Sequence, residues 1–163
     1  MFKTETNLFK ILSASSEPYA FSNDVNLEKI ESKITSQLEL FLEFVDVYTI
    51  GITGTKGKST TSSVMYKVLV DQDKDAFLLG NIGEPIFSSI EEIKENSVVV
   101  LELSSHALEF VKKSPNIAIL LDIYEEHLDH YKTGFKGYVE AKLKVNKDYK
   151  DKFGFAKKCW MNI

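Results

Sequence analysis

Residues 51–60 read Gly51-Ile52-Thr53-Gly54-Thr55-Lys56-Gly57-Lys58-Ser59-Thr60, and they are the most informative stretch of this 163-residue chain. A β-rich run at residues 47–53 leads into the glycines, and residues 58–70 follow with the apolar spacing of a helix. Glycines let backbone N–H groups turn toward phosphate oxygens, and a helix N-terminus adds positive potential. A strand, a glycine loop and a helix in this order therefore predict a phosphate-binding loop.

The side chains of this loop predict a magnesium nucleotide as its ligand. Lys58 is expected to reach the terminal phosphates, and the Ser59 hydroxyl is expected to bind magnesium. The spacing departs from the strict pattern, because five residues instead of four separate Gly51 from Gly57. A glycine-rich turn between a strand and a helix is the alternative. The loop residues assigned to the nucleotide are Gly54, Thr55, Lys56, Gly57, Lys58, Ser59 and Thr60.

Apolar runs on either side of the loop predict an α/β fold. Residues 76–79, 97–103 and 117–123 are nearly continuous apolar runs, as in strands buried on both faces of a parallel sheet. Helical patterns alternate with them, and residues 135–149 close the series as a helix. Residues 27–45 are typical of one or two amphipathic helices. We expect a mostly parallel sheet with helices on both faces.

The composition limits the kinds of partner and the cellular compartment that we expect. The net charge is −4, which gives no electrostatic reason to expect a nucleic-acid partner. Cys159 is the only cysteine, so an internal disulfide is impossible, as is usual in a reducing compartment. The sequence has no apolar run long enough to cross a membrane and no secretory signal pattern. A cytoplasmic monomer is the expectation.

Four further motifs follow the loop in order. They are Gly80-Asn81-Ile82-Gly83, Leu101-Glu102-Leu103-Ser104-Ser105, Glu126-His127-Leu128-Asp129 and Ala141-Lys142-Leu143. Together with the loop they resemble the ATP-binding central domain of the Mur ligases, over about residues 34–146. The resemblance implies a phosphate-loop fold for residues 46–163, incomplete at its C-terminal end. It also implies that residues 1–45 are a remnant of a UDP-binding domain and linker.

The resemblance implies an ATP-dependent amide ligase acting through an acyl phosphate. The segment of residues 34–41 and the Glu-Leu-Ser-Ser string resemble the branch that adds D-glutamate to UDP-N-acetylmuramoyl-L-alanine. His106-Ala107-Leu108 instead resembles the branch that adds the third residue of the peptide. Asp122 and Tyr124 stand where the family more often has asparagine and a small hydroxyl residue. A non-catalytic nucleotide-binding fragment and another phosphate-loop enzyme, such as a kinase or GTPase, are the alternatives.

The same resemblance assigns roles to four residues beyond the loop. Glu102 and His127 are implied to contact magnesium, and Lys142 is implied to be carbamylated and so to offer an anionic oxygen ligand. Asn81 is implied to lie near the phosphates or the muramoyl substrate. The alternatives are a salt-bridged strand-end acid for Glu102, a structural histidine for His127, a solvated helix lysine for Lys142 and a turn former for Asn81.

Topology gives these assignments a geometric test. Parallel sheets gather the carboxyl ends of their strands at one edge. We therefore expect Glu102, His127 and Lys142 to converge on one site that faces the loop, with Lys58, His127 and Lys142 as catalytic groups. Ser104 and Ser105 are expected either to cap a helix or to touch the substrate. His106, Asp129 and His130 are interpreted as structural or surface residues.

Overall fold

The computed structural model describes residues 35–146, and the elements below are numbered within that range. Its helices are α1 (Gln37–Phe44), α2 (Lys58–Asp71), α3 (Ser105–Leu108) and α4 (Phe135–Leu143), which a 3₁₀ turn (Lys144–Asn146) follows. Its strands are β1 (Tyr48–Thr53), β2 (Ala76–Gly80), β3 (Val98–Glu102) and β4 (Ile117–Leu120). Residues 27–34 of the expected helical segment 27–45, and residues 147–163, lie outside the described residues.

The four strands form one parallel sheet in the order β2-β3-β1-β4. β1 is central: Ile50 aligns with Val100 of β3 on one side and with Ile117 of β4 on the other. Every strand pair is parallel, so the carboxyl ends of all four strands lie at the same edge. The α/β class and the parallel sheet predicted from the apolar runs are confirmed.

Helices cover both faces of this sheet, as predicted. On one face, Leu38 and Phe41 of α1 pack in a fully buried cluster with the strand residues Leu79, Val99 and Leu101. On the other face, the alternate strand residues, whose side chains point the opposite way, pack against α2. This second cluster contains Ile50, Ile52, Val100, Met65, Tyr66 and Leu69. Because side chains alternate along a strand, β2 and β3 contribute to both layers and can be apolar throughout.

α1 is tied to the rest of the domain by one buried carboxylate. Ser36 caps the helix by accepting a hydrogen bond from the Glu39 N–H at 3.1 Å. Glu39 is only 7% exposed, and its Oε2 accepts hydrogen bonds from the backbone N–H groups of Lys112 and Lys113 at 2.6 and 3.2 Å. The side chain therefore satisfies two donors of the segment that follows α3.

Two predicted elements are shorter in the structure. The run at 117–123 was expected to be one strand, but β4 ends at Leu120. Its neighbour β1 ends at Thr53, so the chain beyond Leu120 follows the glycine loop instead, and Asp122 O accepts from Thr55 N–H at 2.9 Å. The predicted helix 135–149 ends at Leu143, where the 3₁₀ turn begins.

Candidate functional site

A pocket of about 320 Å³ lies at the carboxyl edge of the sheet. The segments that follow β1, β2, β3 and β4 all reach it, and α4 closes one side. Its lining side chains include Lys58, Asn81, His106, His127, Tyr138 and Lys142. The structure thus brings Lys58, Asn81, His127 and Lys142 together, whereas Glu102, which was expected to converge with His127 and Lys142, does not itself line the pocket.

The glycine loop, residues 54–57, has a backbone that requires its glycines. Gly54 has φ +151°, and a Cβ built there would lie 2.6 Å from the Leu121 Cβ. Gly57 has φ +80° and precedes the first turn of α2. The Lys58 ammonium donates a hydrogen bond to Thr55 O at 2.8 Å. The loop is therefore held closely against the segment after β4, with Lys58 at the pocket.

Three predicted loop residues lie on the solvent side. Lys56, Ser59 and Thr60 are exposed and do not line the pocket. Ser59 and Thr60 belong to the first turn of α2, whose leading N–H groups have no partner within the helix. Lys58 therefore faces the pocket, whereas Lys56, Ser59 and Thr60 face the solvent.

Glu102 is a buried carboxylate at the end of β3, with an exposure of 1%. Its Oε1 accepts from the Asn81 amide at 3.1 Å, and its Oε2 accepts from the Ser62 hydroxyl at 3.3 Å. Both donors are neutral, and no basic side chain pairs with Glu102 in the described part of the chain. Burial of an unpaired charge is unfavourable, so a cation near Asn81 would be attracted here. Asn81 connects Glu102, which does not itself line the pocket, to the pocket wall.

Lys142 is buried on α4, with an exposure of 2%. Its ammonium donates to Gly54 O at 2.8 Å and lies 4.7 Å from the centre of the Tyr138 ring. Burial, followed by repulsion from Lys58, lowers the pKa of Lys142 to about 8, with Glu126 acting in the opposite direction. The interpretation as a solvated helix lysine is wrong, because the side chain points into the domain beside the glycine loop.

His127 lies at the pocket mouth in an uncommon backbone conformation. Its φ is +54°, and its Nε2 lies 3.7 Å from a carboxylate oxygen of Glu126. The His106 ring is 5.4 Å from the His127 ring and 4.3 Å from the His130 ring, centre to centre. Burial lowers the pKa of His106, and the two neighbouring histidines act in the same direction. His106, interpreted from the sequence as structural or surface, therefore lines the pocket.

Tyr138 and Glu126 are pocket residues that sequence reasoning missed. Tyr138 is fully buried, and its hydroxyl lies 3.0 Å from Thr55 Oγ1 and 3.3 Å from Glu126 Oε2. The spacing of Tyr138 and Lys142, four residues apart on one helix, was the available signal. Ser104 caps α3 by accepting from Ala107 N–H, which was one of its two predicted alternatives, and its side chain also lines the pocket.

Two negative findings concern the described residues alone. Between residues 35 and 146, no three His, Cys, Asp or Glu side chains are grouped so that they could hold a metal ion. None of the helices described within that range is both long and apolar enough to cross a membrane.

Comparison with known proteins adds an independent line of evidence. Residues 52–156 match the family model described as the Mur ligase middle domain. A UDP-N-acetylmuramoylalanine–D-glutamate ligase from Acetivibrio thermocellus is 41% identical over 114 residues, 70% of this chain and 24% of the relative. Ligases of the same name from Clostridium botulinum strain Kyoto and Clostridium novyi are 40% and 41% identical over 76% and 70% of this chain. The chain spans about a quarter of the length of these relatives.

Proposed function

The chain belongs to the Mur ligase family, whose middle domain it matches over residues 52–156, and from this membership we propose that it binds ATP as part of a peptidoglycan-precursor ligase. Four residues assigned from sequence motifs meet in one pocket beside the glycine loop, and this observation carries the proposal. They are Lys58, Asn81, His127 and Lys142. They come from segments after β1, β2 and β4 and from α4, so their meeting is a property of the fold.

The pocket suits a polyphosphate. Lys58 is close enough to Lys142 to disfavour its charge, and both cationic side chains line the pocket. The N-terminus of α2 adds its unpaired N–H groups to the same region. ATP phosphates would relieve the repulsion between the two lysines. We assign the triphosphate to residues 54–60, with Lys58 at the terminal phosphates.

The oxygen donors around Glu102 suit magnesium. Glu102 offers a buried carboxylate that lacks a cationic partner among the described residues, and hard magnesium prefers oxygen ligands. Ser59 and a carbamylated Lys142 would complete the protein's oxygen donors, with His127 beside them. Magnesium would neutralise charge on the phosphates during transfer. Asn81, which donates to Glu102, would keep that carboxylate oriented.

Lys142 has the environment that carbamylation needs. Only a neutral amine can attack carbon dioxide, and a pKa of about 8 leaves a substantial neutral fraction near neutral pH. The nitrogen forms a bond to carbon and releases a proton, which turns a buried cation into an anion. The nearby Lys58 would pair with the new carboxylate.

The proposed reaction joins D-glutamate to UDP-N-acetylmuramoyl-L-alanine, as the names of the similar ligases state for those proteins. The substrate carboxylate attacks the γ-phosphorus, and the bond to the ADP oxygen breaks. The amine of D-glutamate then attacks the acyl phosphate and releases phosphate. Lys58 stabilises the negative charge that gathers on the transferred group, while Asn81 and His127 orient the pocket wall.

Titration of the 163-residue chain with ATP and magnesium tests the binding step. Lys58→Ala should abolish measurable binding, because it removes the charge that offsets the terminal phosphates. Lys67→Ala is the matched control, since Lys67 lies on α2, its side chain is 76% exposed and it does not line the pocket. Equal ATP affinities for Lys58→Ala and the unchanged chain would refute the assigned role.

Two further assays test the later steps. Nuclear magnetic resonance under ¹³C-labelled carbon dioxide should show one lysine carbamate, which Lys142→Arg removes and Lys136→Arg preserves. Phosphate release should require UDP-N-acetylmuramoyl-L-alanine, D-glutamate and ATP together. Binding of ATP with no turnover would identify a nucleotide-binding unit in place of a ligase. Phosphate release without the muramoyl substrate would contradict the proposed acceptor.

A further inference from the structure

Tyr138 occupies the centre of the site although no sequence motif points to it. It lies in the middle of α4 and is the largest of the fully buried side chains in the described residues. Its hydroxyl meets the glycine loop on one side and the segment after β4 on the other. Its ring lies beneath the Lys142 ammonium and 6.2 Å from the His127 ring, centre to centre. A purely apolar core position would need only the ring.

The hydroxyl belongs to a continuous chain of hydrogen bonds. Tyr124 N–H donates to Thr55 Oγ1 at 2.9 Å, and Thr55 Oγ1 lies 3.0 Å from the Tyr138 hydroxyl. The Tyr138 hydroxyl then donates to Glu126 Oε2 at 3.3 Å. The single proton of the Thr55 hydroxyl has two possible acceptors, Tyr124 O at 3.2 Å and the Tyr138 hydroxyl. When it is donated to Tyr138, each hydroxyl of the chain donates once and accepts once. Such chains strengthen cooperatively, so the loss of one hydroxyl weakens the bonds on both sides.

The ring has a separate role beside Lys142. The ammonium lies 4.7 Å from the ring centre, and its hydrogen bond to Gly54 O fixes the other side. The face of an aromatic ring attracts a cation and also excludes water from it. The ring thus keeps the Lys142 amine directed at the glycine loop. Hydroxyl and ring act on different partners, so substitutions can separate the two.

We propose that Tyr138 is a positioning residue for the nucleotide site: its hydroxyl joins the glycine loop to the Glu126-His127 segment, and its ring directs Lys142 toward Gly54. The proposal rests on the proposed function, because Tyr138 would position the groups that are assigned to ATP. Tyr138 acts through Thr55, Glu126 and Lys142. It transfers no group itself.

Three variants of the 163-residue chain test the proposal. Tyr138→Phe removes the hydroxyl and keeps the ring, while Tyr138→Leu removes both. Tyr131→Phe is the control. Tyr131 is also buried, and its ring centre lies 5.9 Å from that of Tyr138, but it shows no contact with Thr55 or Lys142 among the described residues. Amide hydrogen exchange, the chemical shifts of the Lys142 side chain and ATP affinity are measured for each.

Tyr138→Phe should accelerate exchange of the Thr55 and Tyr124 amides by about five-fold and weaken ATP binding by a similar factor, as for one lost hydrogen bond. It should leave the ring-induced chemical shift of Lys142 unchanged. Tyr138→Leu should produce both losses and remove that shift. Tyr131→Phe should do neither.

A merely structural tyrosine predicts a different pattern. Tyr138→Phe would then match Tyr131→Phe, or would accelerate exchange across the whole sheet equally, and either result overturns the proposal. If Tyr138→Phe fails to fold, Thr55→Val removes the hydroxyl at the other end of the same bond, together with its hydrogen bonds to Tyr124, and should weaken ATP binding at least as much. If the unchanged chain binds no ATP, the proposed function fails, while exchange at Thr55 and Tyr124 still decides the role of Tyr138.

Discussion

Replacing Lys142 with methionine is expected to stabilise the fold at neutral pH, although it removes a residue assigned to the site. Methionine keeps the length and flexibility of the lysine stem and removes the ammonium. In the folded chain the pKa of Lys142 falls from its usual 10.5 to about 8. At about 1.4 kcal/mol per pH unit, keeping the charged form in the folded state costs about 3 kcal/mol below pH 8.

The pH dependence of the free energy of unfolding follows from the lowered pKa of Lys142. Between pH 8 and 10.5 the unfolded chain holds the Lys142 proton and the folded chain has released it, so stability rises with pH. Lys142→Met lacks this titration. Its advantage should therefore be about 3 kcal/mol at pH 7 and should disappear as the pH approaches 10.5.

Urea unfolding from pH 6.5 to 10.5, in buffer free of carbon dioxide, measures the difference in the free energy of unfolding. Lys136→Met is the matched control, because Lys136 lies on the same helix with its side chain 78% exposed. Its difference from the unchanged chain should stay small at every pH. A Lys142→Met variant that is less stable at pH 7, or whose advantage does not change with pH, would refute the reasoning.

Three further substitutions have defined outcomes. Glu102→Gln keeps the shape of the side chain but removes the buried charge, so titration should show that magnesium no longer strengthens ATP binding. Gly54→Ala should destabilise by about 2–3 kcal/mol in urea, because its Cβ would lie 2.6 Å from the Leu121 Cβ at φ +151°. Glu39→Gln should lower the free energy of unfolding by about 1–2 kcal/mol, because it weakens a charged acceptor of two backbone N–H groups. The control Glu43→Gln, at an exposed position of the same helix, should leave the free energy of unfolding unchanged.

Strands that are buried on both faces of the sheet were predictable, because nearly all of their side chains must be apolar. Residues 97–103 lie between two neighbouring strands and under two helical layers, so almost every position favours an apolar side chain. The end of β4 was not predictable, since it depends on where β1 turns into the glycine loop. The last residue of β4, Leu120, pairs with Thr53, which is 67 residues earlier, and such a distant boundary leaves no local signal in an apolar run.

The site was predictable only where a motif carried it. Residues 54–60 and Lys142 were assigned from their neighbours in sequence, and Lys142 does lie beside the loop. The burial that distinguishes it from Lys136, on the same helix, comes from contacts with Gly54 and Tyr138. His106 was missed for the same reason, because its contacts with His127 and His130 join segments about 20 residues apart.

The two buried charges of the site explain why it would favour a charged ligand. Glu102 keeps a carboxylate on neutral donors, and Lys142 holds an amine at which burial and Lys58 oppose the charge. They belong to different elements, and no ion pair joins them among the described residues. Each group therefore opposes folding when the pocket has no ligand, and each gains a partner if magnesium ATP binds as proposed. On that proposal, the free energy that folding loses at Glu102 and Lys142 is recovered on binding. Neutralising either residue should then weaken the ligand's ability to stabilise the fold.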